Sequence, residues 1–280
     1  MPQGCKNLLA LLLLAVWPAA AAELNPATAK AWHEYVGSAR AAMKARLNPT
    51  ACFLWSEEDA SRMRRLRAGE ILVVPGEDGT PRHVPGGLIH HWLGAMFVPN
   101  VTLAEVVSVL RDYSRYPEFY PSVVSSRLTA REGDTDRFTS IEKHQALFSK
   151  IALDADFSAA YYDAGPKRAY SMATTTRLQQ IQDYGGRHQR ELEPAAPKAY
   201  LWAVSTITRY LERDGGVYVE LEGMALSRGI PSALRWLVDP FVRQAAQDTM
   251  AASLKQSRQA VLKERGLSPA NLTAGGISFR

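Results

Sequence analysis

Near the C-terminal end of the chain, the spacing of apolar residues changes from a strand period to a helical period. Residues 216–227 alternate apolar and polar side chains, with the period of two that predicts a β-strand. The residues from 232 to about 265 follow a helical period for about seven turns. Asp239-Pro240 predicts that this helix is broken or kinked near Asp239, because Asp suits an N-cap and proline suits the first helical position.

The predicted inner side of the C-terminal helix consists mostly of small residues. They form one stripe of Val242, Ala246, Met250, Ser253, Ser257 and Val261, beside Ala245, Thr249 and Ala252. A sheet that curves around so thin a helix would leave room for a bound molecule. This pattern predicts a ligand-holding shell and does not identify the ligand.

The middle of the chain is a succession of strand patterns. They cover residues 87–99, 123–131, 136–145, 152–163, 168–183 and 199–213, followed by 216–227. From residue 123 onward, turn signals such as Glu132-Gly133-Asp134 separate consecutive strands and predict an antiparallel meander. A capping box of Thr102 and Glu105 begins one helix, which runs to about residue 113, and residues 114–122 predict a loop. The layout is α+β.

The N-terminal third has a different pattern. Residues 1–22 contain Lys6, an apolar run over 8–17 and three alanines before Glu23, which predicts a cleaved signal peptide and export to the periplasm or medium. An uncleaved anchor is the alternative. Residues 23–85 predict a mostly helical appendage, with helices over 27–46 and 56–68, the second capped by Ser56. Residues 86–265 form the main domain and 266–280 a flexible tail.

Charge and cysteine content narrow the function classes. The net charge of +5 is spread along the chain, apart from a cluster at Arg62, Arg64, Arg65 and Arg67. This cluster is either a solvated helix face or a peripheral contact with an anionic membrane. No nucleic-acid-binding motif accompanies it, so nucleic acid is not an expected partner. Cys52 is the only cysteine after the signal peptide and is predicted to be buried, without a disulfide.

Several segments resemble the SRPBCC superfamily, the group of StAR-related lipid-transfer proteins, birch-pollen allergens and polyketide cyclases. RDYSRYPEFYPSVVSSRL (111–128) resembles the turn after the first helix in the coenzyme-Q-binding branch. Residues 87–100, 174–178 and 200–231 are similar to exported bacterial members of unknown role. The resemblance covers residues 86–265. It implies a helix-grip fold, in which a curved antiparallel sheet wraps a long C-terminal helix around a cavity.

Strand parity gives candidates for the cavity wall. Val217, Val219, Leu221 and Gly223 share one strand face, which we expect to meet the helix, while Glu220 and Glu222 lie on a face expected to be solvated. The full set of ligand-binding candidates is Phe157, Tyr161, Arg177, Leu201, Ser205, Arg209, Val219, Leu221, Ala246, Met250 and Ser253. Arg209 lies either at a cavity mouth or in an ion pair, and Glu222 and Arg228 are structural or polar candidates. An ordinary filled core fits the same pattern.

Three functional hypotheses follow. The first is an exported binding or carrier protein for a hydrophobic small molecule, such as a lipid, isoprenoid or quinone-like compound. The second is a cyclase or aromatase that uses the same cavity, with His144, Glu142, Tyr161 and Arg177 as acid–base candidates. The third is an envelope protein whose N-terminal appendage docks a partner or a membrane. No nucleophile, cofactor or metal motif is present, and His90 and His91 point to opposite strand faces, so they cannot bind one metal ion together. The sequence therefore favours the binding or carrier protein and predicts no catalytic residue, cofactor or metal.

Overall fold

The computed structural model describes residues 24–76, 79–146, 149–194, 196, 199–229 and 235–266. The helices are α1 (Pro26–Ala45), α2 (Ala60–Arg67), α3 (Leu103–Leu110), α4 (Tyr116–Phe119) and α5 (Arg235–Glu264). The strands are β1 (Leu72–Pro75), β2 (Arg82–Val84), β3 (Gly87–Pro99), β4 (Val123–Glu132), β5 (Thr135–Ala146), β6 (Ser149–Asp163), β7 (Arg168–Gln182), β8 (Arg190–Glu191), β9 (Leu201–Arg213) and β10 (Gly216–Arg228). Single 3-10 turns occupy Trp55–Glu58 and Tyr113–Arg115. The predicted signal peptide, residues 1–22, and nearly all of the predicted tail lie outside the described residues.

The strands form one antiparallel sheet. Its order is β1-β3-β10-β9-β7-β6-β5-β4, with β2 paired to β3 and β8 to β7. Hairpins connect β4 through β7 and also β9 with β10, and glycines with positive φ occupy turns such as those at Gly133 and Gly215. With α5 packed on the sheet, this arrangement confirms the predicted α+β helix-grip fold.

The sheet has two covered faces. The inner face carries Val217, Val219 and the other odd-numbered residues of β10, and packs against α5. The outer face carries Tyr218, Glu220 and the other even-numbered residues of β10, and packs against α1 and the chain that follows it. Because both faces are covered, the two faces of each central strand contribute to separate hydrophobic cores.

Helix α5 lies against β3 at a glycine. A Cβ atom on Gly94 would lie 2.6 Å from Cδ1 of Leu254 and 2.8 Å from Sδ of Met250. Ser257 and Val261 are buried, and the Ser257 hydroxyl lies 2.8 Å from the hydroxyl of Tyr120. The predicted inner side of the helix is therefore correct at these positions.

Two details of the predicted helix differ from the structure. Ala245, Thr249 and Ala252, which were expected beside the inner stripe, are exposed, and the side chain of Val242 lies outside the described residues. The predicted break at Asp239-Pro240 is wrong, because α5 is one helix from Arg235 to Glu264, and the alternative of a kink there stays a prediction. Pro240 falls within the first two turns, where the loss of one N–H leaves most of the hydrogen bonds of a long helix intact.

The N-terminal segment is attached closely to the outer face. Trp32, Val36 and Met43 of α1 are buried in one cluster with Ile207 and Met224 of the sheet. Strand β1 extends the sheet by pairing with β3. The boundary at residue 85 therefore divides segments that share a core, and the proposed division into domains stays a prediction.

Local predictions in this part of the chain were partly wrong. The cap of α2 is Asp59, whose side chain accepts a hydrogen bond from the Ser61 N–H, and Ser56 lies instead in the preceding 3-10 turn. Cys52, predicted to be buried, is exposed. The predicted loop after α3 contains the 3-10 turn and α4, because Pro117 is tolerated in the first turn of a helix. No helix in the described ranges is both long and apolar enough to cross a membrane.

Candidate functional site

The inner face has an apolar wall formed by β10, β9 and α5. The register pairs Val219 with Tyr210, and both lie in the core cluster that contains Leu254 of α5. Leu221 and Met250 pack at the edge of this cluster and remain partly exposed. Ala246 and Ser253 of α5 are also half-buried.

A cluster of aromatic side chains forms the other end of the inner face. The rings of Phe138 and Phe157 stack at a centroid distance of 4.7 Å, and Tyr113 stacks on Phe138 at 4.0 Å. The hydroxyls of Tyr113 and Tyr161 lie 2.8 Å apart. Phe157 and Tyr161 remain partly exposed, so the cluster offers apolar surface as well as packing.

A buried carboxylate fastens this aromatic end to the sheet. Asp136 has no exposed side-chain surface and accepts paired hydrogen bonds from Arg111 and from Arg131. Burial opposes the ionisation of Asp136, but the hydrogen bonds from the two guanidinium groups outweigh it and lower its pKa to about 2. With all these partners inside the protein, Asp136 has a structural role.

Two titratable side chains lie on the inner face without such partners. Glu142 and His144 of β5 pair with Leu153 and Ile151 of β6, and their closest carboxylate and imidazole atoms are 3.7 Å apart. Burial raises the pKa of Glu142 and lowers the pKa of His144. The Nε2 atom of His144 is buried and makes no hydrogen bond to a described residue.

Glu142 and His144 are also partly accessible. The exposed fractions of their side chains are 39% and 32%, although both groups are surrounded by protein closely enough for burial to shift their pKa values. A group can meet both conditions when it borders a space enclosed by the fold. The inner face therefore combines apolar walls with a carboxyl and an imidazole, which are the groups that could orient the polar end of a ligand.

Three predicted cavity residues lie on the outer face instead. Arg209 pairs with Glu220 in the β9–β10 register, and Ser205 pairs with Met224, so both are on the side opposite Val219. The prediction that Arg209 and Ser205 share a cavity wall with Val219 is therefore wrong, because they lie on the opposite face of the sheet. Arg177 is paired with Asp154 and Asp156 at 2.8 Å each, and these carboxylates occupy the strand face opposite Phe157.

Two further residues singled out from the sequence, Leu201 and Arg228, lie near the paired ends of β9 and β10. Leu201 pairs with Ser227, just past a β-bulge in the β9–β10 pairing. The bulge shifts the register by one residue, so Leu201 lies on the inner face, where it is half-buried. The guanidinium of Arg228 lies over the ring of Tyr200, 4.5 Å from its centroid. This contact gives Arg228 a packing partner near the end of β10.

The outer face buries the two glutamates that were expected to be solvated. Glu220 is fully buried and accepts hydrogen bonds from the backbone N–H groups of Trp55 and Ser56, at 2.9 and 2.8 Å. Burial raises its pKa, and Arg209, whose Nη1 lies 3.6 Å away, opposes this increase. Glu222 is 8% exposed and accepts a hydrogen bond from Nη2 of Arg209. The expectation of a solvated face is wrong because the N-terminal segment covers it.

A chain of polar contacts continues from Glu222 to the N-terminal helix. The Glu222 carboxylate lies 3.0 Å from Nε2 of His91, whose Nδ1 lies 2.7 Å from the hydroxyl of Tyr35 on α1. Burial works against ionisation of Glu222, but the hydrogen bond from His91 and the charge of Arg209 lower its pKa. A cavity of about 420 Å³ lies above this chain, between α1 and the sheet, and all four side chains line it.

The sequence reasoning did not find this polar chain or its cavity. One signal was present: Trp32, Val36 and Met43 form an apolar side of α1, which requires a partner surface. The outer face of the sheet is that surface, so the segment that appeared to be an appendage determines which charges of β10 are buried.

Comparisons with known proteins found similar solved structures only. No protein-family model and no curated protein matches the chain. Similar solved structures include a STAR-related lipid transfer protein from Xanthomonas axonopodis, with 18% identity over 64% of this chain and 96% of that chain and a TM-score of 0.43. Human STARD10 has 12% identity over 81% of this chain and 88% of its own, with a TM-score of 0.44. The di-domain ARO/CYC StfQ from the steffimycin biosynthetic pathway has 13% identity over 75% and 57%, with a TM-score of 0.41.

These identities and TM-scores are low, so the fold assignment rests on the strand order and on the terminal helix of this chain. Both agree with the arrangement that the sequence resemblance implies. The chain therefore has a helix-grip fold, which is the fold that its resemblance to the SRPBCC superfamily implies.

Proposed function

We propose that the protein binds a hydrophobic small molecule between the inner face and α5, as an exported binding or carrier protein. Phe157, Leu221 and Met250 supply partly exposed apolar surface on this side of the sheet. Each methylene group that a ligand buries against such surface contributes about 0.8 kcal/mol. A lipid, isoprenoid or quinone-like molecule brings many such groups and few polar ones.

Glu142 provides the strongest support for an enclosed space. Its carboxyl group is surrounded by protein, which raises its pKa, and yet 39% of its side chain is accessible. Its carboxylate lies 3.7 Å from Nε2 of His144. Both groups can therefore accept or donate hydrogen bonds to the polar end of a ligand whose apolar part lies against α5.

A pair of matched variants on α5 tests this proposal. Ser253 lies on the half-buried side of the helix, while the neighbouring Ala252 is exposed. Native mass spectrometry of purified protein, with solvent extraction, should show a copurified or added lipid or quinone in the wild type and in Ala252→Leu. Ser253→Leu should lose it. The proposal fails if no member of a lipid and quinone panel binds, or if both variants retain the same ligand equally.

An enzyme of the cyclase or aromatase kind is the second candidate. Glu142, His144 and Tyr161 share the inner face, as acid–base groups of a cavity enzyme would. Arg177 does not belong to this set, because it is paired with Asp154 and Asp156 on the opposite side. Incubation of the bound molecule with wild type and with Glu142→Gln, followed by mass spectrometry, distinguishes the two roles. A carrier leaves the mass unchanged, whereas an enzyme converts the molecule and Glu142→Gln slows the conversion.

Export and membrane contact extend the proposal. Export rests on the apolar leader before Glu23, and N-terminal sequencing of protein recovered outside the cytoplasm should begin at that residue. Membrane contact through α2 has weaker support, because Arg62 is paired with Glu58 and Asp59 and other arginines of the helix are also paired. Sedimentation with anionic vesicles tests the envelope-associated alternative, which requires binding that is lost at high salt.

A further inference from the structure

The cavity on the outer face has the construction of a small-molecule site. Its volume of about 420 Å³ falls within the range of ligand pockets, which is about 300–1,000 Å³. The wall formed by α1 contains the small residues Ala31, Ser38, Ala39 and Ala42. Glu34 and Arg46 of α1 and Arg82 of β2 also line the cavity. Apolar side chains of the sheet, including Val74, Ile89 and Leu93, form the facing wall. Larger side chains on this side of α1 would have closed the space over the polar chain below it.

The floor of the cavity contains charged groups that are almost completely buried. Arg209 is 4% exposed and Glu222 is 8% exposed, and both line the cavity together with His91 and Tyr35. If this network served only to attach α1, packed side chains would be expected to cover it. An empty space beside buried charges loses van der Waals contacts and does nothing to offset the cost of removing the charges from water. Here the network faces a space instead.

The hydrogen bonds at the floor of the cavity show which groups there are donors and which are acceptors. Glu222 accepts hydrogen bonds from both His91 and Arg209, so it is the ionised acceptor and Nε2 of His91 carries the proton. On the other side of the ring, Nδ1 shares a hydrogen bond with the Tyr35 hydroxyl at 2.7 Å. Each carboxylate oxygen of Glu222 accepts one hydrogen bond from a described residue and retains a second lone pair. The unused capacity of Glu222 is therefore for accepting hydrogen bonds. Nη1 of Arg209 is a buried donor that makes no hydrogen bond to a described residue, although it lies 3.6 Å from the Glu220 carboxylate.

The imidazole of His91 is held in place from a third side by backbone. A Cβ atom on Gly76 would lie 2.5 Å from Nδ1 of His91, and the Gly76 N–H donates to the His91 carbonyl oxygen at 2.9 Å. Only glycine allows the chain after β1 to approach the ring this closely. With Tyr35, Glu222 and Gly76 around it, His91 keeps Glu222 oriented before any ligand arrives.

We infer that this cavity is a second binding site, separate from the inner face, for a compact and mainly apolar molecule that carries a hydrogen-bond donor. A hydroxyl or amino group would donate to Glu222, while the apolar body would lie between the alanines of α1 and the aliphatic side chains of the sheet. The site depends on the N-terminal segment, because α1 supplies one wall and Tyr35.

A matched pair of probes tests the donor requirement. 4-Propylphenol and 4-propylanisole have the same ring and chain, but only the phenol has a donor. Isothermal titration calorimetry on the full chain should show that the phenol binds and that the anisole binds at least about tenfold more weakly, the effect of losing one hydrogen bond to a charged acceptor. Equal affinities for the two probes, or no binding of the phenol, would overturn the inference.

Variants on α1 and α5 locate the bound phenol. Ala39→Leu fills the outer cavity and should weaken the phenol at least about tenfold while keeping the unfolding temperature. Ala41→Leu, on the exposed side of the same helix, should bind as wild type. Ser253→Leu on the inner face should also leave the phenol affinity unchanged. Loss of binding in Ser253→Leu with no change in Ala39→Leu would place the probe on the inner face and refute the second site.

Discussion

The contact between α5 and β3 makes a quantitative prediction at Gly94. An added Cβ would meet Cδ1 of Leu254 at 2.6 Å and the Cγ and Sδ atoms of Met250 at 2.8 Å, distances well inside van der Waals contact. Gly94→Ala therefore requires the two side chains to change conformation or the helix to move away from the sheet. Overpacking of this kind costs about 1–3 kcal/mol in well-packed cores.

A second term opposes this cost. Replacing a strand glycine with alanine recovers about 0.5–1 kcal/mol of backbone entropy. The expected net effect of Gly94→Ala is a loss of up to about 2.5 kcal/mol in the free energy of unfolding, with a central value of about 1 kcal/mol, the difference between these two terms. Gly37 is the matched control, because it lies in the interior of α1 and a Cβ there would have no atom within 4 Å. Gly37→Ala should gain about 0.5–1 kcal/mol.

Urea unfolding of wild type and both variants measures these differences directly. The two substitutions change the same atoms, so opposite signs would isolate the effect of the helix–sheet contact. If Gly94→Ala is as stable as wild type or more stable, α5 does not lie against β3 as closely as the structure indicates, and the helix-grip interpretation of the inner face loses its main packing contact.

Three further predictions concern buried charge. Asp136→Asn should destabilise the protein at pH 7. The folded pKa of Asp136, about 2, is below its unfolded value, so ionised Asp136 stabilises the wild type, and this stabilisation should be lost as the pH falls from about 4 toward 2. The stability of Asp136→Asn should therefore depend less steeply on pH over this range than that of the wild type. Glu142→Gln should stabilise the protein at pH 7, because a raised folded pKa makes ionisation costly once the pH exceeds the unfolded value, and a stability measurement at pH 4 should show little gain. Arg209→Met should cost about 3–5 kcal/mol by leaving two buried carboxylates without their cation, whereas Arg177→Met, at a partly exposed pair, should cost at most about 1 kcal/mol; equal costs would contradict the structural role of Arg209.

Much of the strand layout could be predicted because local signals determine it. The strand at 87–99 has the predicted bounds, and turns at Gly133 and Gly215 use the positive φ that only glycine adopts readily. The capping box of Thr102 and Glu105 begins α3 as expected. Alternation along β10 correctly assigned Val219 and Leu221 to the side facing the C-terminal helix.

The surroundings of the opposite face could not be predicted in the same way. Alternation separates Glu220 and Glu222 from the apolar residues of β10, but it does not say what covers them. Their partners come from distant parts of the chain, such as the N–H groups of Trp55 and Ser56, 165 and 164 residues away. The mixed assignment of Arg209 and Val219 to one wall had a similar origin, because their relative parity is fixed only by the β9–β10 register.

Mass spectrometry of the intact protein shows directly whether the inner face encloses a space for a hydrophobic molecule. Wild type and Ala252→Leu should each carry one small apolar molecule that is released by solvent extraction or can be loaded from a lipid and quinone panel. Ser253→Leu, which places the leucine on the half-buried side of α5, should remain empty under the same conditions. If all three proteins are folded and none binds any member of the panel, the inner face is a filled core and the binding function is wrong.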